Sequence, residues 1–371
     1  MSSNIEEPVS TEDRGEQLED GIGIALSGGG YRATLFHLGG LLRLFEAGLL
    51  MKAARISSVS GGSITSAKVA LEWPRLTDRD AFMTHVVAPI RKLTAITIDI
   101  PSIVGGLLLP GSVADRVAEQ YRRHLFGDAT LQDLPDAPRF VINATNVETG
   151  SLWRFSKPYM RDWRVGTVER PTVPLAEAVT ASSAFPPVLS PYVLRVGADD
   201  FTQIEPGVDE RLLEDVSLTD GGVYDNLGLE TVYKRYRTLL VADAGGALQP
   251  DPSPPADWAQ HAKRVLDIIH GQVSSVRVRQ LIQAFDRGDR KGAYWGIRSD
   301  IANLGATSPL PAPLERTRQL AATPTRLKRL SSELQERLIN WGYAACDAAV
   351  RGHVLSGGTP AAAFPYPSSG V

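Results

Sequence analysis

An α/β fold, with a central mostly parallel sheet flanked by helices and helical additions at the C-terminal end, follows from three observations. The apolar run 22–26 ends in Ser27-Gly28-Gly29-Gly30-Tyr31-Arg32 and leads into a helix-like stretch. The run 55–60 ends in Ser58-Val59-Ser60-Gly61-Gly62 and does the same. Strand, turn and helix thus recur within about sixty residues, which is how parallel sheets are built. A third run, 216–219, ends in Asp220-Gly221-Gly222, so a carboxylate also stands on a glycine turn at a strand's end.

The elements read in order as follows. After the first turn, 33–50 places Leu35, Leu38, Leu42 and Phe45 at helical spacing, with Gly48 as the stop. The second strand is 55–60 and the second helix 63–72. From 93 to 112 the chain is glycine-rich, proline-marked and strongly apolar, and reads either as buried core or as a mobile flap that touches a membrane. Strands follow at 140–147 and 151–155, joined by a turn at Glu148, Thr149 and Gly150. The stretch 179–190 is a small-residue helix end before a proline turn, and 238–243 is a buried strand. Long helices are expected at 257–285 and 324–351, the second capped by Thr323 with Pro324 in its first turn, and a strand at 293–298 lies between them. The expected organisation is a disordered acidic arm (1–20), a catalytic domain (21–246), a helical part packed on it (247–355) and a disordered tail of Gly, Pro, Ala and Ser (356–371).

Composition narrows the function. The 371 residues carry 39 basic and 42 acidic side chains, a net charge of −3, so no overall positive field exists to hold a phosphate backbone, and nucleic acid is not an expected partner. Cys346 is the only cysteine, which excludes an intramolecular disulfide and fits a reducing, cytoplasmic compartment. The acidic N-terminal residues are the opposite of a secretory signal. The strongly apolar uncharged stretch 100–114 is shorter than the ~18–20 apolar residues of a spanning helix. The expectation is a soluble protein, with membrane contact at most peripheral.

Ser60 stands where a strand must reverse into a helix, a geometry that projects a nucleophilic hydroxyl above the sheet, and Gly61 and Gly62 let backbone and substrate approach. Gly28, Gly29 and Gly30 precede a helix, so their amides can form an oxyanion hole at its positive end, with Arg32 fixing the loop or adding charge. The same loop satisfies the dinucleotide pattern G-x-G-x-x-A, but the second strand lacks the acidic residue a ribose requires. No histidine shares such a setting: His37 lies inside the first helix, and the other five fall in helical or loop text. A carboxylate can replace the triad histidine if burial raises its pKa toward working pH, which makes Asp220 the candidate base. No H-E-x-x-H, cysteine pair or histidine cluster suggests a metal, and no cofactor is expected.

At these residues the chain resembles the patatin-like phospholipase family, which is related in its catalytic core to cytosolic phospholipase A2. The resemblance runs from about residue 21 to 246 and rests on four blocks in family order: the Gly28 to Arg32 loop, the Ser60 elbow, the Thr180 to Pro187 segment and Asp220-Gly221-Gly222. Ser58 stands where the family's elbow has its first glycine. The resemblance implies a patatin-like three-layer sandwich, Ser60 as nucleophile, Asp220 as base, the amides of Gly28, Gly29 and Gly30 as oxyanion hole, and Arg32 and Gly62 in support. It implies an acyl hydrolase of membrane or micellar phospholipid or neutral acylglycerol, of phospholipase A or lysophospholipase type. The alternative is a catalytically silent lipid-binding or regulatory module on the same scaffold.

Overall fold

The computed structural model describes residues 18–99, 112–355 and 360–371. Its strands are β1 (Glu19–Leu26), β2 (Ala53–Val59), β3 (Arg139–Asn146), β4 (Ser151–Phe155), β5 (Tyr159–Asp162), β6 (Gly166–Glu169), β7 (Tyr192–Leu194), β8 (Gln203–Ile204), β9 (Val216–Asp220), β10 (Tyr236–Asp243) and β11 (Lys291–Gly296). The helices of eight residues or more among the described residues are α1 (Gly30–Glu46), α2 (Gly61–Glu72), α3 (Val113–Tyr121), α4 (Leu175–Ser182), α5 (Trp258–Asp286), α6 (Leu314–Ala321) and α7 (Ser332–His353).

All strands join one mixed sheet in the order β11-β10-β1-β2-β3-β4-β5-β6-β8, with β9 on β3 and β7 on β9. The first five are parallel, and the strands beyond β3 pair antiparallel. Side chains alternate across the parallel half as the pleat requires. Ile24, Leu26, Leu240 and Ala242 face the large apolar cluster beneath α1, α2 and α7. Ala25, Leu239 and Val241 face a smaller one, closed by Leu227, Val232 and Leu281. Helix α1 is buried on nearly every side because the sheet covers one face and α7 the other, which is why an all-round apolar helix is stable there. No helix of the described residues is long and apolar enough to cross a membrane.

Three expectations change. The last long helix begins at Ser332, not Pro324: Ser331 caps it, accepting from the Leu334 N–H at 3.3 Å. Residues 324–331 are withheld from helix by tertiary bonds, since the Arg326 carbonyl accepts from Tyr31 N–H and the Leu327 carbonyl from Ile98 N–H. The tail from 360 to 371 is packed rather than free. Asn340 donates to the carbonyls of Tyr366 and Gly370, Arg91 lies over the Tyr366 ring, and Val371 is buried. At the other end β1 already begins at Glu19, inside the expected disordered arm, and residues 1–17 lie outside the described residues. Of the apolar segment 93–112, residues 100–111 also lie outside them, while Leu93 and Ile98 are buried in the main core.

Candidate active site

The register of three strands sets the site. Strand β2 runs parallel to β3 and ends with Val59 opposite Asn143. Strand β9 arrives antiparallel along β3 and ends with Asp220 opposite Ala144, the next residue. The two strands therefore meet end to end, and the residues that leave them, Ser60 and Asp220, are brought together across 160 positions of sequence. The Ser60 side chain lies close enough to the Asp220 carboxylate to favour its ionised form.

Ser60 holds φ 52° and ψ −120°, a conformation that L residues rarely adopt, at the turn from β2 into α2. Its surroundings over-determine it. The Ser60 N–H donates to Ser182 Oγ at 3.0 Å, and Ser182 Oγ donates to the Asn143 carbonyl at 2.7 Å. Ser63 Oγ lies 2.9 Å from Ser182 Oγ and donates to Ser58 Oγ at 3.1 Å. Asn143 Nδ2 completes the clamp, donating to Ser57 Oγ and the Ser58 carbonyl. Ser58 thus replaces the family glycine with a side chain that is buried and hydrogen-bonded. The glycines that follow are required by close approach: a Cβ at Gly61 would lie 2.2 Å from the Gly30 carbonyl, and one at Gly62 2.6 Å from that of Leu26.

Asp220 is 2% exposed. Burial pushes its carboxyl up to about 7, against the opposing influence of the hydrogen bond from Gly222 N–H (2.7 Å) and of the Ser60 side chain. Its main chain is pinned by Thr145 Oγ1, which donates to its carbonyl, and by its own N–H, which donates to Ala184. Among the described residues no histidine hydrogen-bonds either Ser60 or Asp220. His37 is buried beside Ser27, and burial lowers its pKa to about 4.

The glycine loop lies against this pair: a Cβ at Gly28 would sit 3.2 Å from Ser60 Cβ. One expected donor is a correction. The Gly28 N–H donates to the Asn226 carbonyl at 2.9 Å and is spent. The amides of Gly29 and Gly30 have no hydrogen-bond partner among the described residues. Both have positive φ, 144° and 60°, so the turn into α1 excludes larger residues. Arg32 fixes the loop rather than presenting charge. Its guanidinium donates to the carbonyl of Ala244 at 2.9 Å and to that of Thr323 at 2.6 Å.

Two contributors escaped the sequence reading. Ser182 accepts from the Ser60 N–H, and in the sequence it lay within the Thr180 to Pro187 block with no role of its own assigned. Asn226 is a wedge between turns: its Oδ1 lies 2.5 Å from a Cβ position at Gly28, and its Nδ2 2.8 Å from one at Gly245. Nothing in its local sequence separates it from an ordinary turn asparagine.

The family model described as patatin-like phospholipase matches residues 24–233, more than half of the chain. Human GIVD cytosolic phospholipase A2 is similar in fold, with 12% identity, 94% of this chain and 60% of that one covered, and a TM-score of 0.53. The same human protein in complex with methyl gamma-linolenyl fluorophosphonate gives 15% identity, 90% and 58% coverage, and a TM-score of 0.51. This chain therefore spans about three fifths of that enzyme's length. VipD from Legionella pneumophila gives 15% identity, 91% and 67% coverage, and a TM-score of 0.37. No curated protein sequence matches the chain.

Proposed function

This chain belongs to the patatin-like phospholipase family, and from that premise we propose that it is a lipid acyl hydrolase using a Ser60–Asp220 dyad. The observation that carries the reading is the meeting of a strained turn serine and a buried carboxylate at the ends of β2 and β9, with burial raising the carboxyl's pKa to about 7. A carboxylate in water is too weak a base for an alcohol; raised toward neutrality, it can take the proton as the oxygen attacks.

Ser60 Oγ attacks the ester carbonyl carbon while its proton passes to Asp220. The charge that develops on the carbonyl oxygen is met by the free amides of Gly29 and Gly30 at the positive end of α1. The ester C–O bond breaks, the leaving alcohol takes the proton from Asp220, and the acyl group stays on Ser60. Water then attacks the acyl-enzyme, gives a proton to Asp220, and the fatty acid leaves as the proton returns to Ser60 Oγ.

The test is covalent labelling. Methyl gamma-linolenyl fluorophosphonate, the compound bound to the human protein of similar fold, should label the wild-type chain on the peptide containing Ser60. It should leave a Ser60→Ala variant untouched, and a lipid panel read by mass should release free fatty acid. Labelling without any lipid turnover, or none at Ser60, favours the silent lipid-binding module.

The elbow clamp has its own expected result. Ser182→Ala removes the acceptor for Ser60 N–H and leaves that buried amide unpaired, at about 1–3 kcal/mol. A loss of roughly ten-fold in kcat, with KM unchanged and a lower melting temperature, is expected for a residue that positions the nucleophile without touching substrate. Steady-state kinetics and thermal melts check it; an unchanged kcat removes Ser182 from the machinery.

A further inference from the structure

Helix α5 is packed inside out. Along its first two thirds the half-buried residues are polar, among them Asp267, His270, Ser274 and Arg277. Arg277 pairs with Glu230 at 3.0 Å and with the buried Asp225 at 3.7 Å. The opposite side carries Trp258, Val265, Leu266, Ile269, Val273 and Val276, all exposed, with Trp258 at 85% and Leu266 at 64%. At 100° per residue these six fall within about 100° of arc and so form one stripe, about 27 Å long at the helical rise, with the exposed Ile268 to one side of it. Only near its end does α5 bury apolar side chains, Leu281 and Ala284.

Isolated exposed apolar residues need no explanation; a continuous stripe of this length marks a contact surface. Its charge identifies the occupant. Between Trp258 and Ile282 the helix has four basic residues and one acidic one; Arg277 is spent inward on Glu230 and Asp225 and Lys263 pairs with Asp267 at 2.6 Å, which leaves Arg264 and Arg279 as its unbalanced charges in a chain with a net acidic balance. Two such helices laid stripe to stripe would bring like charges together, whereas an apolar face beside basic side chains and an exposed terminal tryptophan suits an anionic lipid surface. Position agrees. Helix α5 follows β10, which ends at the carboxyl edge of the sheet, where β1 and β2 deliver the glycine loop and Ser60.

We propose that α5 is a docking helix that seats its outward stripe in an anionic phospholipid surface and brings the carboxyl edge of the sheet to it. The choice of lipid as occupant rests on the hydrolase reading. The experiment therefore uses the Ser60→Ala chain, whose binding needs no turnover, so that the two readings fail separately.

Flotation with phosphatidylcholine vesicles containing phosphatidylglycerol should carry the Ser60→Ala chain. A Leu266→Glu/Ile269→Glu change in that chain should lower the bound fraction by at least about ten-fold at an unchanged melting temperature. Tryptophan emission should shift to the blue on vesicle addition, and Trp258→Phe, which does not threaten folding, should abolish the shift. In the otherwise wild-type chain the double change should spare hydrolysis of a short soluble ester and suppress hydrolysis of vesicle lipid. Undiminished flotation of the double variant, no flotation of the parent, an emission shift that survives Trp258→Phe, or a dimer that the double change dissociates would each overturn the proposal.

Discussion

Ser60→Ala should lower ester hydrolysis by about 10⁴-fold or more, to the level that binding and the two glycine amides alone can sustain. The size of the effect follows from the chemistry, because without the hydroxyl there is no acyl-enzyme and water must attack the ester without a covalent intermediate. The fold should survive. Alanine keeps the N–H that donates to Ser182 Oγ, and the clamp of Ser63, Ser58 and Asn143 around the elbow does not use the Ser60 side chain. Turnover of a soluble ester and of lipid, measured beside a thermal melt, checks both halves. Retained turnover would remove Ser60 as nucleophile.

Asp220→Asn should cost about 10³–10⁴-fold, since the amide preserves shape but cannot accept the serine proton. It should also change the pH response in two opposite ways. In the wild type, activity needs the carboxylate ionised, so kcat/KM should rise with pH through a limb near 7, and the asparagine variant should lose that limb. Stability runs the other way. The carboxyl is raised from 3.8 to about 7 on folding, so the folded chain retains a proton that the unfolded chain releases. Its contribution is full below about pH 4 and is lost as pH rises to about 7, an effect on the order of a few kcal/mol. The asparagine variant carries no such penalty, and melts across pH 4 to 8 should show it gaining on the wild type as pH rises. Parallel stability curves would mean that Asp220 is not held in the buried, proton-retaining state.

How much of this was legible beforehand depends on how local the cause is. The elbow and the glycine loop were readable because a glycine at a positive φ or at a close approach leaves its mark in the residue itself, as at Gly30 and Gly61. The pairing of Ser60 with Asp220 was not in any local pattern; the lack of a histidine in a comparable setting made Asp220 the candidate base and the family resemblance agreed, while the register sets Val59 and Asp220 opposite neighbouring residues of β3. The loss of Gly28 as a donor turns on a hydrogen bond to Asn226, almost two hundred residues away. Thr323-Pro324 is a sound local start signal for a helix, but the carbonyls of Arg326 and Leu327 are taken by the chain beside Tyr31 and Ile98, and tertiary bonding outweighed it. The tail's composition suggested disorder, yet Asn340 supplied a donor for two of its carbonyls.

The pairing of β1 with β10 has a practical corollary for protein engineering. The segment matched by the family model stops at residue 233, before β10 begins. A fragment cut there would expose one whole edge of β1, and Arg32 would remain in the interior with neither Ala244 nor Thr323 to receive its protons. The smallest excisable folded piece therefore extends at least through Thr323, well past the boundary that sequence similarity marks.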